Sequence, residues 1–313
     1  MSRPNPELSV VVPVYKEEKN IRPFLSRMEV ALASVGVSYE ILFCLDPSPD
    51  RTEVTILEEI QRNPNIKLVV FSRRFGQPAA TMAGIALCKG DHCAVIDVDL
   101  QDPPELIGPM IEKLKEGYEV VYARRRSRRG ETFIKKVVSS VGYRVIKHLS
   151  DVSVPEDTGD FRVMTRRVID ELRHLHETHG FLRGLVAYVG FPQSYVEYDR
   201  DERAFGKGNY NRFTGSLRIG LNGIVSFSAR PLQLMAVLGG SLAVCSFLLG
   251  AWYAIEHFRG VQLTPGLPTT VVMVTFFSGV QLLSLGLIGE YIGRIYDEVK
   301  QRPMYIVDRK VNF

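Results

Sequence analysis

The sequence has few cysteines and lacks the motifs that many nucleotide-binding enzymes carry. Its 313 residues include four cysteines, Cys44, Cys88, Cys93 and Cys245, all on apolar segments and none in a CxxC pair. This pattern argues against a disulfide framework or a zinc ribbon and predicts reduced core thiols. No GxGxxG or P-loop motif follows the first apolar segment, which disfavours a dinucleotide oxidoreductase and a P-loop nucleoside triphosphatase.

A strong excess of charge of either sign is also missing. The chain carries 39 Lys and Arg against 35 Asp and Glu, a formal net charge of +4. A balance this mild does not single out nucleic acid, and we expect no nucleic-acid partner. It suits an anionic membrane surface or phosphate-rich ligands.

Two long stretches near the C-terminal end have no charge at all. Residues 232–255 and 267–289 contain no Asp, Glu, Lys, Arg or His, and each is long enough for the ~20-residue span of a bilayer. We predict two transmembrane helices, with a pair of buried helices in a soluble core as the alternative. The basic residues flanking them are Arg218 and Arg230 on one side, and Arg294, Lys300, Arg302, Arg309 and Lys310 on the other.

The flanking basic residues predict the topology. By the positive-inside rule both flanks lie in the cytosol and the short connection between the two helices lies outside. We expect a cytosolic domain over residues 1–228 that ends in an amphipathic juxtamembrane segment. Two transmembrane helices over residues 229–296 and a cytosolic C-terminal tail over residues 297–313 follow. The prediction is a multi-pass protein of the inner (plasma) membrane with the domain of residues 1–228 in the cytosol.

Short apolar segments alternate with helical patterns in the first part of the chain. Strands are predicted near residues 8–15, 39–46, 66–72 and 92–99. Nearly all-apolar strands that alternate with helices favour an α/β fold with a mostly parallel sheet. Ligands bind such sheets at the carboxyl ends of the strands. The polar residues at those predicted ends are Tyr15, Glu17, Asp46, Ser48, Arg73, Arg74, Asp97 and Asp99.

Asp97 and Asp99 form the most informative pair among them. In an extended chain both would point to one face, roughly 6–7 Å apart along the backbone. Like charges that close are costly unless a cation or a proton lies between them, and a hard divalent ion suits oxygen ligands. The alternative is a solvated strand end. Asp102 differs, because Pro103 and Glu105 follow it in the pattern of a helix N-cap with a capping-box acid.

A run of five arginines follows a later apolar segment. The run is ARRRSRRGE, residues 123–131. Such a run is often a solvated loop or a nucleic-acid patch. Beside a membrane it also suits anionic head groups or a lipid phosphate, because the guanidinium fork matches phosphate oxygens.

Several motifs in this order resemble family-two glycosyltransferases of the GT-A fold. They are VVVPVYKEEKNI, DPSPDRT, SRRFGQPAATMAGI, IDVDLQDPPELI, GYEVVYARRRSRRGET, TGDFRVM and GLIGEYIGRIYDEVKQRP. The closest likeness is to the polyprenyl-phosphate glycosyltransferases, and it covers nearly the whole chain. It implies a Rossmann-like GT-A catalytic domain followed by a two-helix transmembrane hairpin.

The resemblance also implies a reaction. It is the inverting transfer of a sugar from a nucleotide-diphosphate donor to a polyisoprenyl phosphate such as undecaprenyl phosphate, at the cytosolic face of the membrane, with Mg²⁺ or Mn²⁺ as cofactor. Uridine diphosphate glucose is the expected donor, and GDP-mannose or an aminoarabinose donor is the alternative. A homo-oligomer is left open. A different class, a non-catalytic membrane-tethered protein that binds nucleotide sugars, is disfavoured by the intact Asp97 and Asp99.

Site residues follow from the matching motifs. The resemblance implies that Asp97 and Asp99 bind the metal and that Asp160 orients the acceptor or assists catalysis. Residues expected to contact the donor are Pro13, Tyr15, Glu17, Asp46 and Gln101. Residues expected to bind the acceptor phosphate are Arg126, Arg129, Arg162, Arg203 and Lys207.

Overall fold

The computed structural model describes residues 5–126, 158–175, 177, 182–199, 225, 228–259 and 266–313. Within these residues, eight strands form one sheet. The strands are β1 Leu8–Val14, β2 Tyr39–Leu45, β3 Ile66–Phe71, β4 His92–Val95, β5 Val120–Arg125, β6 Thr158–Thr165, β7 Gln193–Tyr198 and β8 Val307–Val311.

Helices connect most of these strands, as the alternating sequence pattern predicts. The helices of the described residues are α1 Glu18–Val35, α2 Thr52–Arg62, α3 Gln77–Leu87, α4 Ile107–Lys115, α5 Arg166–His174, α6 Leu182–Val189, α7 Arg230–Phe258 and α8 Leu267–Val299. A short 3-10 turn, Pro104–Leu106, precedes α4.

The sheet is mixed, with more parallel than antiparallel pairs. Its strand order is β7-β5-β6-β4-β1-β2-β3-β8. The β1–β2, β1–β4, β2–β3 and β5–β7 pairs are parallel, and β4–β6, β5–β6 and β3–β8 are antiparallel. The predicted α/β class is confirmed. The antiparallel β6, inserted between β4 and β5, is a feature that the apolar pattern did not predict.

Two apolar layers enclose the sheet, because strands buried on both faces need helices on both. One layer includes Phe24 and Met28 of α1 and Met110 of α4. The other includes Ile85 of α3 and Leu172 of α5. This three-layer packing fixes the strand ends, and the polar side chains that follow them are held on a rigid frame.

The two long apolar helices lie outside this core. The segments with the length and composition of a membrane span are Arg230–Trp252 and Val272–Val299, and the apolar window of neither is buried. Phe247 and Leu282 are among their exposed apolar side chains. The alternative of two buried core helices is therefore wrong. The amphipathic segment expected before them lies almost entirely outside the described residues.

The last residues belong to the sheet rather than to a separate tail. β8 pairs antiparallel with β3, and the Ser72 backbone N–H donates to the Ile306 carbonyl at 3.0 Å. The Tyr305 ring packs on Phe71 with centroids 5.8 Å apart, and Arg309 forms an ion pair with Glu53. The expected division at residue 297 is corrected, because the chain leaves α8 and then forms one edge of the same sheet as β1 to β7.

This attachment predicts a loss of stability for Tyr305→Ala. Truncating a half-buried aromatic side chain should cost about 2 kcal/mol, because the contact with Phe71 is lost and a cavity remains. For a domain of this size the melting temperature should fall by roughly 4–8 °C. Tyr188→Ala is the matched control, since that ring is 61% exposed. Equal melting temperatures for the two variants would contradict the role assigned to the C-terminal strand.

Candidate active site

The site lies where the sheet reverses its strand order. From β1 the chain runs outward to β2 and β3 on one side and then returns to β4 on the other. The β1–β4 register ends at Val11 and Val95, whereas the β1–β2 register continues to Val14 and Leu45. The chain segments that follow β1 and β4 therefore separate. Such a switch point, at the carboxyl ends of the strands, is where open α/β sheets bind ligands.

Asp97 and Asp99 enter this crevice from a turn and not from an extended strand. β4 ends at Val95, Val98 is buried between the two aspartates, and Leu100 has a left-handed φ of 61°. The expectation that both carboxylates lie on one face of a strand is therefore wrong in its geometry. The expectation that they follow the end of β4 at the crevice is met.

Each carboxylate has a distinct setting. Asp97 is partly exposed and accepts a hydrogen bond from the Gln77 side-chain amide at 2.8 Å. Asp99 is only 6% exposed and accepts from the Gln101 backbone N–H at 3.1 Å. Gln101 thus orients Asp99 through its backbone. Two carboxylates are a donor set that fits Mg²⁺ or Mn²⁺ when substrate phosphates supply further oxygens.

Residues after β1 form the opposite wall of the crevice. The Arg74 guanidinium lies 4.0 Å from the centre of the Tyr15 ring. Glu17 accepts a hydrogen bond from the Asn20 side chain at 2.5 Å, and its backbone N–H donates to Thr52 Oγ1 at 2.9 Å. Tyr15 and Glu17 follow the end of β1, and their contact with the donor stays a prediction.

Pro13 differs from these two residues because it is buried within β1, opposite Cys44 of β2. A contact between Pro13 and the donor stays a prediction.

Asp46 has a structural role that its motif did not reveal. One carboxylate oxygen accepts from the Phe75 N–H at 2.9 Å and the other from the Gly76 N–H at 2.8 Å. These bonds fix the loop between β3 and α3, which carries Arg74 and Gln77. A direct contact between Asp46 and the donor base stays a prediction.

Asp160 reaches the same crevice from the antiparallel strand β6. The β4–β6 register pairs Val95 with Arg162, so the residues just before Arg162 lie level with the turn that follows β4. Asp160 is 34% exposed at its side chain and accepts a hydrogen bond from Arg183 Nε at 2.9 Å. Burial raises the pKa of Asp160, but Arg183, Arg162 and Arg125 outweigh that effect and hold it below its usual value. Asp160 is therefore an ionised carboxylate at neutral pH.

Arg162 does not meet its predicted role as an acceptor ligand. Its side chain is 4% exposed, and it donates to the carbonyls of Asp160 and Gly159, each at 3.1 Å. Burial lowers its pKa to about 10. The guanidinium is used to fix the start of β6, and the phosphate-binding assignment is corrected for this residue.

The arginine run divides along β5 because alternate residues of a strand face opposite sides. Arg124 stacks on Tyr195 at 4.7 Å. Arg125 turns to the other side, 3.3 Å from the Tyr198 hydroxyl and 4.0 Å from Asp102.

Arg126, a predicted acceptor ligand, is exposed and lies 3.7 Å from Glu197 and 3.9 Å from Asp199. Its acceptor role stays a prediction. Three other predicted acceptor ligands, Arg129, Arg203 and Lys207, lie outside the described residues.

Asp102 is structural, but it is not a helix cap. No side chain caps the 3-10 turn at Pro104, and Glu105 pairs instead with Arg27 at 2.7 Å. Asp102 is buried and accepts a hydrogen bond from the Tyr198 hydroxyl. Burial is the largest influence on the Arg125 pKa and lowers it, but the Tyr198 contact and the carboxylates of Asp102 and Asp97 raise it overall. Arg125 thus interacts electrostatically with the carboxylates of both Asp102 and Asp97.

This architecture, a mostly parallel sheet with carboxylates at its switch point and an antiparallel strand beside them, is that of GT-A glycosyltransferases. The chain belongs to glycosyltransferase family 2, since the model of that family, Glycosyl transferase family 2, matches residues 9–173. It is a glycosyltransferase enzyme.

Relatives match nearly the full length of the chain. The uncharacterized glycosyltransferase YkcC of Bacillus subtilis (strain 168) is 45% identical over 304 residues, 97% of this chain and 94% of the relative. A bactoprenol glucosyl transferase of Shigella phage SfII is 37% identical over 303 residues, 97% of this chain and 98% of the relative.

A solved structure supports the fold. The mannosyltransferase PcManGT from Pyrobaculum calidifontis, in complex with GDP-Man and Mn²⁺, aligns with a TM-score of 0.50 at 15% identity, covering 94% of this chain and 88% of that one. At this identity the likeness speaks for the GT-A fold alone.

Three side chains at the site were not predicted as site residues. Gln77 contacts Asp97, Arg183 contacts Asp160, and Tyr198 contacts Asp102. Gln77 lies within a quoted motif, so its place near the crevice could have been inferred. No sequence signal marks the other two, because their partners are 23 and 96 residues away.

The close approach at Gly159 yields a prediction. A Cβ there would lie 3.2 Å from an Arg125 guanidinium nitrogen. Gly159→Ala should therefore displace Arg125 and lower kcat by roughly tenfold to a hundredfold, as small misplacements at active sites do. Gly108→Ala, where a Cβ meets only Val35 at 3.4 Å, is the control. Steady-state glycosyl transfer and thermal melting measure both variants, and unchanged kcat in Gly159→Ala would show that Arg125 has no part in turnover.

Proposed function

We propose that this protein transfers a sugar from a nucleotide-diphosphate donor to a polyisoprenyl phosphate, with inversion at the anomeric carbon, at the cytosolic face of the inner membrane. One observation carries the proposal. A family 2 glycosyltransferase domain continues into two exposed apolar helices and then closes its own sheet with β8. A soluble acceptor would not require such helices, whereas a lipid-borne acceptor is reached from the membrane surface.

The relatives support the acceptor class. The Shigella phage SfII protein is named a bactoprenol glucosyl transferase, and the similarity covers 97% of this chain, including both apolar helices. A polyprenyl phosphate is therefore the proposed acceptor. Glucose, carried by uridine diphosphate, is the first sugar to test, and mannose or an aminoarabinose is the second choice.

The charges of the site suit a phosphate nucleophile. A phosphate monoester is mostly dianionic at neutral pH, because its second pKa is about 6. Such an acceptor needs no strong general base, and this agrees with the lowered pKa of Asp160, because a carboxylate of low pKa is a weak base. The oxygen of the acceptor phosphate forms the new bond to the anomeric carbon. The bond to the donor diphosphate breaks, and its electron pair leaves with the nucleoside diphosphate.

The donor diphosphate is proposed to lie against Asp97 and Asp99. A bound Mg²⁺ or Mn²⁺ there would supply the positive charge that stabilises the leaving diphosphate. Gln77 holds Asp97, and the Gln101 backbone holds Asp99. The chain thus fixes both carboxylates before a ligand arrives.

The two apolar helices are proposed to cross the membrane as a hairpin. An even number of crossings agrees with the chain, because the sheet lies before α7 and receives β8 after α8. Basic residues flank both helices, which supports a cytosolic position for the sheet.

The test of the reaction is a transfer assay with detergent-solubilised full-length protein. Radiolabelled UDP-glucose, GDP-mannose and an aminoarabinose donor are each incubated with undecaprenyl phosphate and Mg²⁺ or Mn²⁺, and the lipid product is resolved by thin-layer chromatography. We expect a metal-dependent lipid-linked sugar from one donor. Nucleotide-sugar binding without product from any donor would favour a non-catalytic binding protein instead.

The metal site yields a sharper prediction. Asp99→Asn removes one charge at nearly constant shape, so the fold should persist while metal-dependent nucleotide binding weakens by tenfold or more. Turnover should fall by about 10²–10³, the usual loss when one electrostatic group is removed from an active site. Asp91→Asn, at the exposed turn before β4, is the matched control. Isothermal titration of nucleotide with and without Mn²⁺ checks this, and unaltered metal dependence in Asp99→Asn would remove it from the metal site.

Membrane insertion has a separate test. Exposed apolar faces on both helices predict that the full-length protein stays with membranes through washes in high salt and alkaline carbonate, and that only detergent releases it. Release by salt alone would show surface attachment through basic residues and would contradict the two spans.

A further inference from the structure

Arg183 and Asp160 form the best-defined ion pair at the antiparallel side of the crevice. The Arg183 Nε donates to Asp160 Oδ1 at 2.9 Å. Both side chains are partly exposed, Arg183 by 29% and Asp160 by 34%. An exposed pair of this kind on an ordinary surface contributes little to stability. This pair, however, lies beside the turn that follows β4, where the position of the Asp160 carboxylate bears on the reaction.

The helix that carries Arg183 is firmly held. α6 buries Leu182, Leu185 and Val186 in the apolar layer that also contains α5. Its backbone position is therefore fixed by packing, and the long arginine side chain is anchored at its base. A carboxylate bound by such a residue has a defined side-chain position, in addition to the backbone position that Arg162 fixes.

The other arginines near Asp160 have different tasks. The Arg162 guanidinium is 3.9 Å from the Asp160 carboxylate but donates its hydrogen bonds to the carbonyls of Gly159 and Asp160. Arg125 contacts Tyr198 and Asp102 and acts on Asp160 through charge. Among the hydrogen bonds of the described residues, Arg183 supplies the short side-chain bond to the Asp160 carboxylate.

We propose that Arg183 is a positioning residue for the transfer reaction: it fixes the Asp160 carboxylate in place at the acceptor side of the crevice. The inference rests on the proposed transfer to a polyprenyl phosphate. Asp160 then acts as a fixed negative group rather than as a proton acceptor. Such a group keeps neighbouring arginines in place and contributes to the field that the reacting sugar experiences.

A positioning role predicts specific effects on nucleotide affinity and on kcat. Arg183→Ala should leave metal-dependent nucleotide affinity unchanged, because the residue lies on the side of β6 and not of β1. It should lower kcat by about tenfold to a hundredfold, in line with the loss of a well-placed orienting contact. Arg183→Lys keeps the charge but lacks the guanidinium fork, so it should recover part of kcat.

The decisive experiment is a double-mutant cycle on full-length protein. Wild type, Arg183→Ala, Asp160→Asn and the double variant are compared by single-turnover transfer to undecaprenyl phosphate. If Arg183 acts through Asp160, the double variant should be no slower than Asp160→Asn alone, because residues that act as a unit are not additive. Rates that fall by the product of the two single losses would overturn the proposal, and so would an Arg183→Ala enzyme within twofold of wild type.

Arg173→Ala serves as the matched structural control. Arg173 is similarly exposed, at 31%, and pairs with Asp170 at 3.1 Å on α5. It also bonds the carbonyls of Ile85 and Cys88, so its loss should lower the melting temperature at least as much as the loss of Arg183. We expect Arg173→Ala to keep kcat. Equal losses of kcat in the two arginine variants would mark a general effect of destabilisation and would refute the positioning role.

The outcomes separate the two proposals. A wild-type enzyme that makes no lipid-linked sugar with any donor refutes the proposed function, and the positioning role falls with it. A wild-type enzyme that makes product while Arg183→Ala does so equally well refutes only the inference about Arg183. If Arg183→Ala fails to fold, Arg183→Lys replaces it in the double-mutant cycle. A wild-type kcat in Arg183→Lys, together with equal rates for Arg183→Lys/Asp160→Asn and Asp160→Asn, would contradict a need for the guanidinium geometry.

Discussion

Like-charged carboxylates cannot gather at one edge of a sheet unless positive charge accompanies them. This constraint organises the whole crevice. Asp97 and Asp99 arrive after β4, and Asp160 arrives from β6 at the same level. Arg183 and Arg125, from α6 and β5, supply balancing charge on the antiparallel side and keep the Asp160 pKa low. On the parallel side, the proposed divalent ion would supply the balancing positive charge for Asp97 and Asp99.

The insertion of β6 between β4 and β5 makes this division possible. A purely parallel sheet would place another helix-connected strand beside β4, with its carboxyl end at the crevice. The antiparallel β6 instead places its first residues there. Its Gly159 lets Arg125 approach to a distance that a Cβ would crowd. Small residues at such points reflect close packing of charged groups rather than flexibility.

The sequence predicted those parts of the fold that depend on local periodicity. The apolar strands β1 to β4, the two long apolar helices and the position of the Asp97 pair all follow from patterns within about twenty residues. Contacts between distant segments could not be predicted from such patterns. Examples are the hydrogen bonds from the Phe75 and Gly76 N–H groups to Asp46, and the pairing of β8 with β3. Asp102 shows how a local pattern misleads. Its N-cap signature is sound, but the Tyr198 hydroxyl, 96 residues away, offers its carboxylate a buried partner instead.

The C-terminal strand connects the site with the apolar helices. β8 pairs with β3, Ser72 at the end of β3 bonds the Ile306 carbonyl, and the loop that begins there carries Arg74 to the Tyr15 ring. The end of α8 and the Tyr15 side of the crevice are thus joined by a short, hydrogen-bonded path. Under the proposed function this path would tie the crevice to the membrane, and a lipid-borne acceptor would then meet it at a high effective concentration, because both would be confined to the same surface.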